Sequence, residues 1–326
     1  MIKVCKTLDL SDSDWIQIVD GFNRSFSLNN TVESMKNYYI SSIAGYSYHA
    51  LDFTEEGVLR GYNSIVPTQY TYKGQTIMVG ISGGTFVNKE FRSDVFIFKH
   101  LMDALFDYCG KDGMAMKVGV PNKNSFKYTL KMNKAKLVGY LNYYILPIRL
   151  FNVIPLKSLG FLNFISVFFS KLYLYGISAL SLIINPKGEE KTLELVCDKH
   201  FFDTRYRNRN HYTECVKGNI LGFYRVVEEN GMHVAYIMDF KEENRKSLKA
   251  LSYVSRQILP KERGIDAIMY VGTMNLRQPL LFKVPHKMDP KPLPLTINVI
   301  NGDKALEEEA LNMKSWDFSL QNFDVR

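Results

Sequence analysis

Gly83-Gly84-Thr85-Phe86-Val87-Asn88-Lys89-Glu90-Phe91-Arg92-Ser93-Asp94-Val95-Phe96-Ile97-Phe98 is the stretch on which the fold turns. A β-like run ends in small residues, a loop with a single arginine follows, and an amphipathic helical pattern begins at once. The first amides of a helix have no intrahelical acceptor and lie at the positive end of its dipole, so this arrangement makes an anion site. The same pattern also serves an ordinary strand–loop–helix connection.

Working outward, the period upstream is that of strands. Segments 46–52, 57–70 and 75–87 are β-like and are separated by Glu55-Glu56-Gly57 and Lys73-Gly74, both turn signals. Before them, Ser11 and Asp14 form a capping box for a helix carrying Trp15, Ile16, Val19 and Phe22, and a second helix starts after Thr31 with Val32, Met35 and Tyr38 on one stripe. Downstream, Phe98, Leu101, Met102, Leu105 and Phe106 define the inward face of a helix over 95–109, closed by Gly110. A strand at 114–120, the breaker Pro121, a short helix near 122–131 and strand-like sequence over 136–149 complete the half.

The second half repeats the order of elements without recognisable sequence similarity. Strands at 212–217, 220–228 and 233–239 are joined by Lys217-Gly218-Asn219 and by Glu229-Asn230-Gly231, a hairpin signal. A helix over 244–259, with Leu248, Leu251, Val254 and Ile258 on one face, ends at Pro260. A strand at 265–271 and β-rich sequence at 280–300 follow. The expected class is α/β: two tandem units, each a mixed, mainly antiparallel sheet flanked by helices, over 1–150 and 201–326.

Between them, 151–200 reads as an apolar linker. Phe151 to Asn185 carries only Lys157 and Lys171 as charges. The stretch is long enough to span a membrane, but Lys171 would then sit near the centre at a cost of about 2.5–3.5 kcal/mol. Gly160, Asn163 and Gly176 also weaken a single spanning helix. A buried segment packing the two units together is the expectation, with peripheral membrane contact through 151–185 as the alternative.

The formal charge of +8 over 326 residues favours anionic partners such as a phosphorylated cofactor, a nucleotide sugar, nucleic acid or an acidic membrane, and also serves solubility. Basic residues are spread along the chain; the densest cluster, Arg205, Arg207 and Arg209, is short, and nucleic acid is not the expected partner. Cys5, Cys109, Cys197 and Cys215 contain no CxxC, and the six histidines have no HExxH spacing, so neither a redox pair nor a metal is expected. No leader is read at the start, and a cytoplasmic location is the expectation.

The windows quoted above resemble the GNAT superfamily of acyltransferases. Its cofactor segment reads as Val, a short loop, then Arg or Gln-x-x-Gly-x-Gly or Ala opening a helix that cradles the coenzyme A pyrophosphate; Val87 and Arg92 stand at matching places. The two small positions carry Val95 and Ile97. The resemblance therefore implies an acetyl-CoA or other acyl-CoA site at Thr85, Phe86 and Val87, for the pantetheine arm, and at Arg92, Ser93, Asp94, Val95, Phe96 and Ile97. A second window, Gly119 to Tyr128, matches the Asn and the small residue three positions later that open the next helix, here Asn122 and Ser125. Tyr128, one position short of the family's tyrosine, is the implied catalytic proton donor to the leaving thiolate.

The second half, through Tyr206 to His211, Tyr236 to Phe240, Trp316-Asp317-Phe318 and Phe323-Asp324-Val325, resembles the carboxyl-terminal unit of tandem GNAT-like proteins. These include Fem-type transferases and polysaccharide-biosynthesis acetyltransferases. It has no Gly-rich loop after Asp239, so substrate contacts, with Trp316 and Asp324 as candidates, are expected there rather than a coenzyme. The general base is unassigned; His49, Glu55 and Glu56 are of suitable type. The implied activity is N-acyl transfer to an anionic small-molecule amine, with a nucleotide-linked amino sugar as the class and the cleft between domains as its place. The rival readings are a GNAT-like binding or scaffold protein without cofactor use, set at a membrane surface, and aminoacyl transfer from charged tRNA.

Overall fold

The computed structural model describes residues 1–154, 157–209 and 211–323. In chain order its main elements are β1 (Ile2–Lys6), α1 (Asp12–Phe26), α2 (Val32–Ile40), β2 (Tyr48–Phe53), β3 (Leu59–Tyr72), β4 (Gln75–Val87), α3 (Ile97–Lys111), β5 (Met116–Gly119), α4 (Lys123–Lys131), β6 (Lys136–Tyr140), β7 (Asn142–Pro147), α5 (Asn163–Leu180), β8 (Leu193–Leu195), β9 (Thr213–Lys217), β10 (Ile220–Glu229), β11 (Met232–Glu242), α6 (Leu248–Lys261), β12 (Ala267–Gly272), β13 (Pro294–Val299) and α7 (Lys304–Ala310).

Two compact units divide the chain, and they are not its two halves. The first takes 1–140, 192–204 and 293–315; the second takes 141–191, 205–292 and 316–326. The boundaries read from sequence, at 150 and 200, miss this interleaving. Strand-like sequence over 136–149 is two strands broken at Leu141, and they enter different sheets: β6 pairs with β13, whereas β7 pairs with β12. Conversely β13, distant in sequence, lies between β5 and β6 in the first unit. Hydrophobic period identifies such strands but carries no partner information.

The first sheet runs β1-β2-β3-β4-β5-β13-β6, with β8 added to the far end of β3. All pairs are antiparallel except β4 with β5. Helix α1 begins at the expected box: the Ser11 hydroxyl accepts from the Asp14 amide and the Asp14 carboxylate accepts from the Ser11 amide. Its apolar face packs Trp15, Ile18 and Phe22 with Tyr39, Tyr62 and Phe86. A second cluster packs Ile97, Leu101, Leu105 and Cys109 of α3 with Tyr48, Ala50 and Ile65. Many of the abundant aromatics are thus core, and their burial is the main stabilising term. Lys73 and Gly74 (φ +49° and +77°), like Asn230 and Gly231 (φ +53° and +75°), take the paired left-handed conformations of tight hairpins.

The second sheet runs β7-β12-β11-β10-β9, again with one parallel pair, β11 with β12. Helix α6 buries Leu248, Leu251, Val254 and Ile258 against β10 and β11. It extends through Pro260 into its last turn rather than stopping there. Gly110 likewise lies inside the last turn of α3, whose cap is Asp112. Helix α5 does not form the buried linker expected for 151–185: it buries only Leu174 and Ser178.

Candidate active site

The parallel pair in the first unit is short. Val79, Gly80 and Ile81 of β4 face Met116, Lys117 and Val118 of β5, and there the ladder ends. Strand β4 continues for six residues, Ser82–Val87, held by β3 on one edge. Among the described residues no strand pairs with its other edge, so backbone groups of 82–87 face a gap beside β5. An extended strand with an open edge accepts extended, amide-bearing ligands by main-chain hydrogen bonding.

A bulge aims this edge. Ile65 pairs with Ser82 and Asn63 with Thr85, so Gly83 and Gly84 on β4 span one residue, Ser64, on β3. Extra residues in one strand bend it and raise its twist, which separates it from its neighbour. Gly84 is sterically required, and Gly83 is tightly confined by Ser64. A Cβ on Gly84 would lie 1.7 Å from the Phe22 ring, and one on Gly83 would lie 2.3 Å from Ser64 Oγ. The small residues that end the strand in the sequence are thus what lets β4 leave β5.

The predicted arm-binding residues divide. Thr85 donates from Oγ1 to Asn63 Oδ1 at 2.7 Å, and Asn63 is buried beneath it. Phe86 points into the core against Phe22 and Tyr62. What reaches the gap is backbone, and by the alternation of the β3–β4 ladder it belongs to Thr85 and Val87, while the N–H and C=O of Phe86 face Tyr62 on β3.

The loop differs more from expectation. A 3-10 turn spans Lys89–Phe91, and α3 begins at Ile97, two residues after the start read from the sequence. Arg92 folds back, its Nε donating to the Val87 carbonyl at 2.9 Å. The Phe96 amide donates to Asp94 Oδ1 at 3.0 Å, so a carboxylate already sits at one of the amides assigned to phosphate. Asp94 in turn lies 3.8 Å from Arg60, whose guanidinium also holds buried Asp52. Ser93, Val95 and Phe96 are exposed. The Ile97 side chain is fully buried over Gly61, where a Cβ would meet Ile97 Cγ2 at 2.7 Å, so this residue has only its amide to offer the loop. The space that a small residue on the helix would leave is left here by Gly61 on β3.

Helix α4 starts as expected. Asn122 Oδ1 accepts from the amides of Asn124 and Ser125, both at 3.0 Å, and Ser125 Oγ donates to the Asn122 carbonyl at 3.3 Å. These two residues cap the helix with their side chains, and α4 carries Tyr128 half exposed.

One residue of the site escaped the sequence reading. Lys117 lies where the parallel ladder ends, nearly fully buried. A Cβ placed on Gly119 would be 2.8 Å from Ser82 Oγ and 3.3 Å from Lys117 Nζ, so hydroxyl and amine converge at the closed end of the gap. Among the described residues the amine makes no hydrogen bond or ion pair, and burial pulls its pKa down to about 8. The signal was available: a lysine alternating with Met116 and Val118 in an otherwise apolar strand.

The candidate bases are not in this site. His49 is buried in the aromatic core, its ring nitrogens 2.9 Å from Thr7 Oγ1 and 2.7 Å from Tyr62 OH; burial lowers its pKa to about 3 and keeps it neutral. Glu55 and Glu56 lie in the exposed turn before β3.

The second unit has the corresponding gap, filled by its own chain. Strand β11 pairs with β12 only from Val234 to Ile237. Beyond that point the free edge of β12 is taken by the C-terminal segment: Thr273 donates its amide to the Phe318 carbonyl at 2.7 Å, and Leu320 donates to Val271 at 3.2 Å. Lys246 Nζ sits beside them, donating to Tyr270 OH at 2.8 Å and to the Asp317 carboxylate. Trp316 is fully buried, which corrects its assignment as a substrate contact; Asp324 and Val325 lie outside the described residues.

No protein-family model and no curated protein matches this sequence. Solved structures do. A GCN5-related N-acetyltransferase from Anabaena variabilis aligns over 92% of this chain and 73% of its own, with a TM-score of 0.57 at 11% identity. A conserved protein of unknown function from Enterococcus faecalis, described as a probable N-acyltransferase, gives 0.56 at 12% identity over 92% and 73%. Eis1 from Mycobacterium abscessus gives 0.55 at 9% identity over 96% and 76%. The chain has the GNAT fold, and the likeness covers most of its length.

Proposed function

We propose that the chain is an N-acyltransferase that takes an acetyl or related acyl group from an acyl-CoA. The observation that carries this reading is the separation of β4 from β5 after a three-residue ladder, which leaves the 82–87 edge open. The open edge fits the amide-bearing pantetheine arm, and the loop admits its pyrophosphate only if Asp94 gives up the Phe96 amide. When bound, the cofactor would supply an activated thioester. Thr85 and Val87 hold the arm through their backbones with Phe86 paired to β3 between them, Arg92 and the amides of 93–97 face the phosphates, and the outward β4 amides polarise the carbonyl. Lys117 supplies a cation, or at higher pH a neutral amine, at the closed end of the gap. Tyr128 is assigned the proton returned to the departing sulfur.

The acceptor is proposed to be an anionic small-molecule amine, with a nucleotide-linked amino sugar as the class; support comes from the net charge of +8 and the family resemblance. The second unit is not a second donor site, because its own C-terminal segment fills its gap. Release of thiol from acetyl-CoA, followed across a panel of anionic and neutral amines, tests the assignment. Amine-dependent release is expected. Cofactor binding without release for any amine would favour the second reading, a binding protein, for which the Asp94–Phe96 bond is the supporting observation.

A further inference from the structure

Helix α5 is built inside out. Its small polar residues face the protein: Ser166 Oγ donates to the Ile148 carbonyl and Ser170 Oγ to the Pro147 carbonyl, each at 2.7 Å, and Ser178 is buried beside Leu174. Its large apolar residues face away. Phe164, Phe168, Leu172 and Tyr175, at helical spacings of four, four and three, are 51–69% exposed, and Leu182 and Ile183 continue the surface at 74% and 84%. A water-facing helix carries the reverse pattern. An apolar face of this extent implies an apolar medium or partner.

The segment 158–180 is long and apolar enough to cross a membrane by composition. The serine bonds, the Tyr173 hydroxyl on the Pro279 carbonyl (2.5 Å) and the packing of Val167, Leu174 and Ile177 into the second core hold it lengthwise on its unit instead. That geometry belongs to a helix lying in an interface.

Charge selects the occupant. Within the stretch of the second unit that carries the helix, from Leu141 to Gly188, there are four lysines and arginines and no aspartate or glutamate. On the helix itself Lys171 is exposed, and the Arg256 guanidinium lies 5.0 Å over the Tyr175 ring; neither has an ion-pair partner among the described residues. A symmetric dimer through this face would set Lys171 and Arg256 of one copy against the same cations of the other. An anionic lipid surface accepts both the aromatic face and the cations.

We propose that the outer face of α5, with Leu182 and Ile183, docks the protein on the surface of an anionic bilayer. The docking is independent of the chemistry assigned to the first unit. Flotation of the full chain with phosphatidylcholine vesicles, and with vesicles containing about one-third phosphatidylglycerol, tests it. The wild type is expected to float with the anionic vesicles, less so as salt rises. Phe164→Ser/Phe168→Ser/Leu172→Ser should cut the bound fraction at least about tenfold with an unchanged thermal midpoint, since these side chains are exposed. Lys171→Glu/Arg256→Glu should weaken binding to anionic vesicles. Three outcomes would overturn the proposal: wild type left in solution with anionic vesicles at low salt, a triple serine variant that floats like the wild type, or a dimer in light scattering that the triple variant dissolves while no vesicle binding is seen.

Discussion

The amide of Phe96 donates to the carboxylate of Asp94 at 3.0 Å, so the loop ahead of α3 holds its own negative charge where a phosphate is proposed to bind. Replacing that carboxylate frees the amide and takes away the more distant of the two carboxylates beside Arg60, 3.8 Å away, while Asp52 still holds the guanidinium. Asp94→Ala is therefore expected to tighten acetyl-CoA by about tenfold, or about 1.4 kcal/mol, in a calorimetric titration. Weaker binding would show that Asp94 orders the loop productively.

Gly84 approaches Phe22 so closely that a methyl group would overlap the ring, at 1.7 Å. Gly84→Ala must push Phe22 from the first core or straighten the bulge. A loss of about 1–3 kcal/mol in urea denaturation is expected, together with loss of cofactor binding. Wild-type stability in this variant would mean that the bulge is not needed to part the strands.

Lys117 gives a pH signature. Its pKa falls from the ordinary 10.5 to about 8 in the folded chain because burial disfavours the ammonium. Between these values the unfolded chain binds more protons, so stability rises with pH across about pH 8 to 10.5. Buried Cys5 and Cys109, pushed up to about 11 and about 12, act in the opposite sense, so the difference from Lys117→Met isolates the lysine. The variant should lose the rising component, match or exceed wild-type stability at pH 7, and transfer acyl groups at least about tenfold more slowly. An unchanged rate would remove Lys117 from the site.

His49 titrates in the acid range with the same sign. Its pKa drops from 6.5 to about 3 on burial, so below pH 6.5 the unfolded chain takes up a proton that the folded chain refuses, and stability falls as pH falls towards 3. His49→Gln is expected to flatten that decline in urea midpoints while acyl transfer at pH 8 persists. Abolished transfer in a folded variant would restore His49 as a catalytic candidate.

What the sequence disclosed follows from the range of each interaction. The capping box at Ser11, the hairpins at Lys73-Gly74 and Asn230-Gly231, and the helices with sharp apolar stripes depend on neighbours within a few residues, and each is where its pattern puts it. Strand β1 went unread because five residues, Ile2–Lys6, leave little periodicity. The exchange of β7 and β13 between sheets was illegible, since pairing over more than a hundred residues leaves no local mark. In the site, Gly83 and Gly84 and the Asn122 cap were readable as local geometry. The core packing of the Ile97 side chain was illegible because its size is compensated by Gly61, thirty-six positions away. Lys117 shows in the sequence as a lysine between Met116 and Val118, but that its amine has no partner among the described residues is revealed only by packing.

The central claim is that the unpaired edge of β4 receives an acyl-CoA, and amide hydrogen exchange with and without acetyl-CoA tests it most directly. Protection confined to Ser82–Val87 and to the amides of 93–97, with the second unit unchanged, is the predicted result. Unaltered exchange at 82–87 at millimolar acetyl-CoA would contradict it.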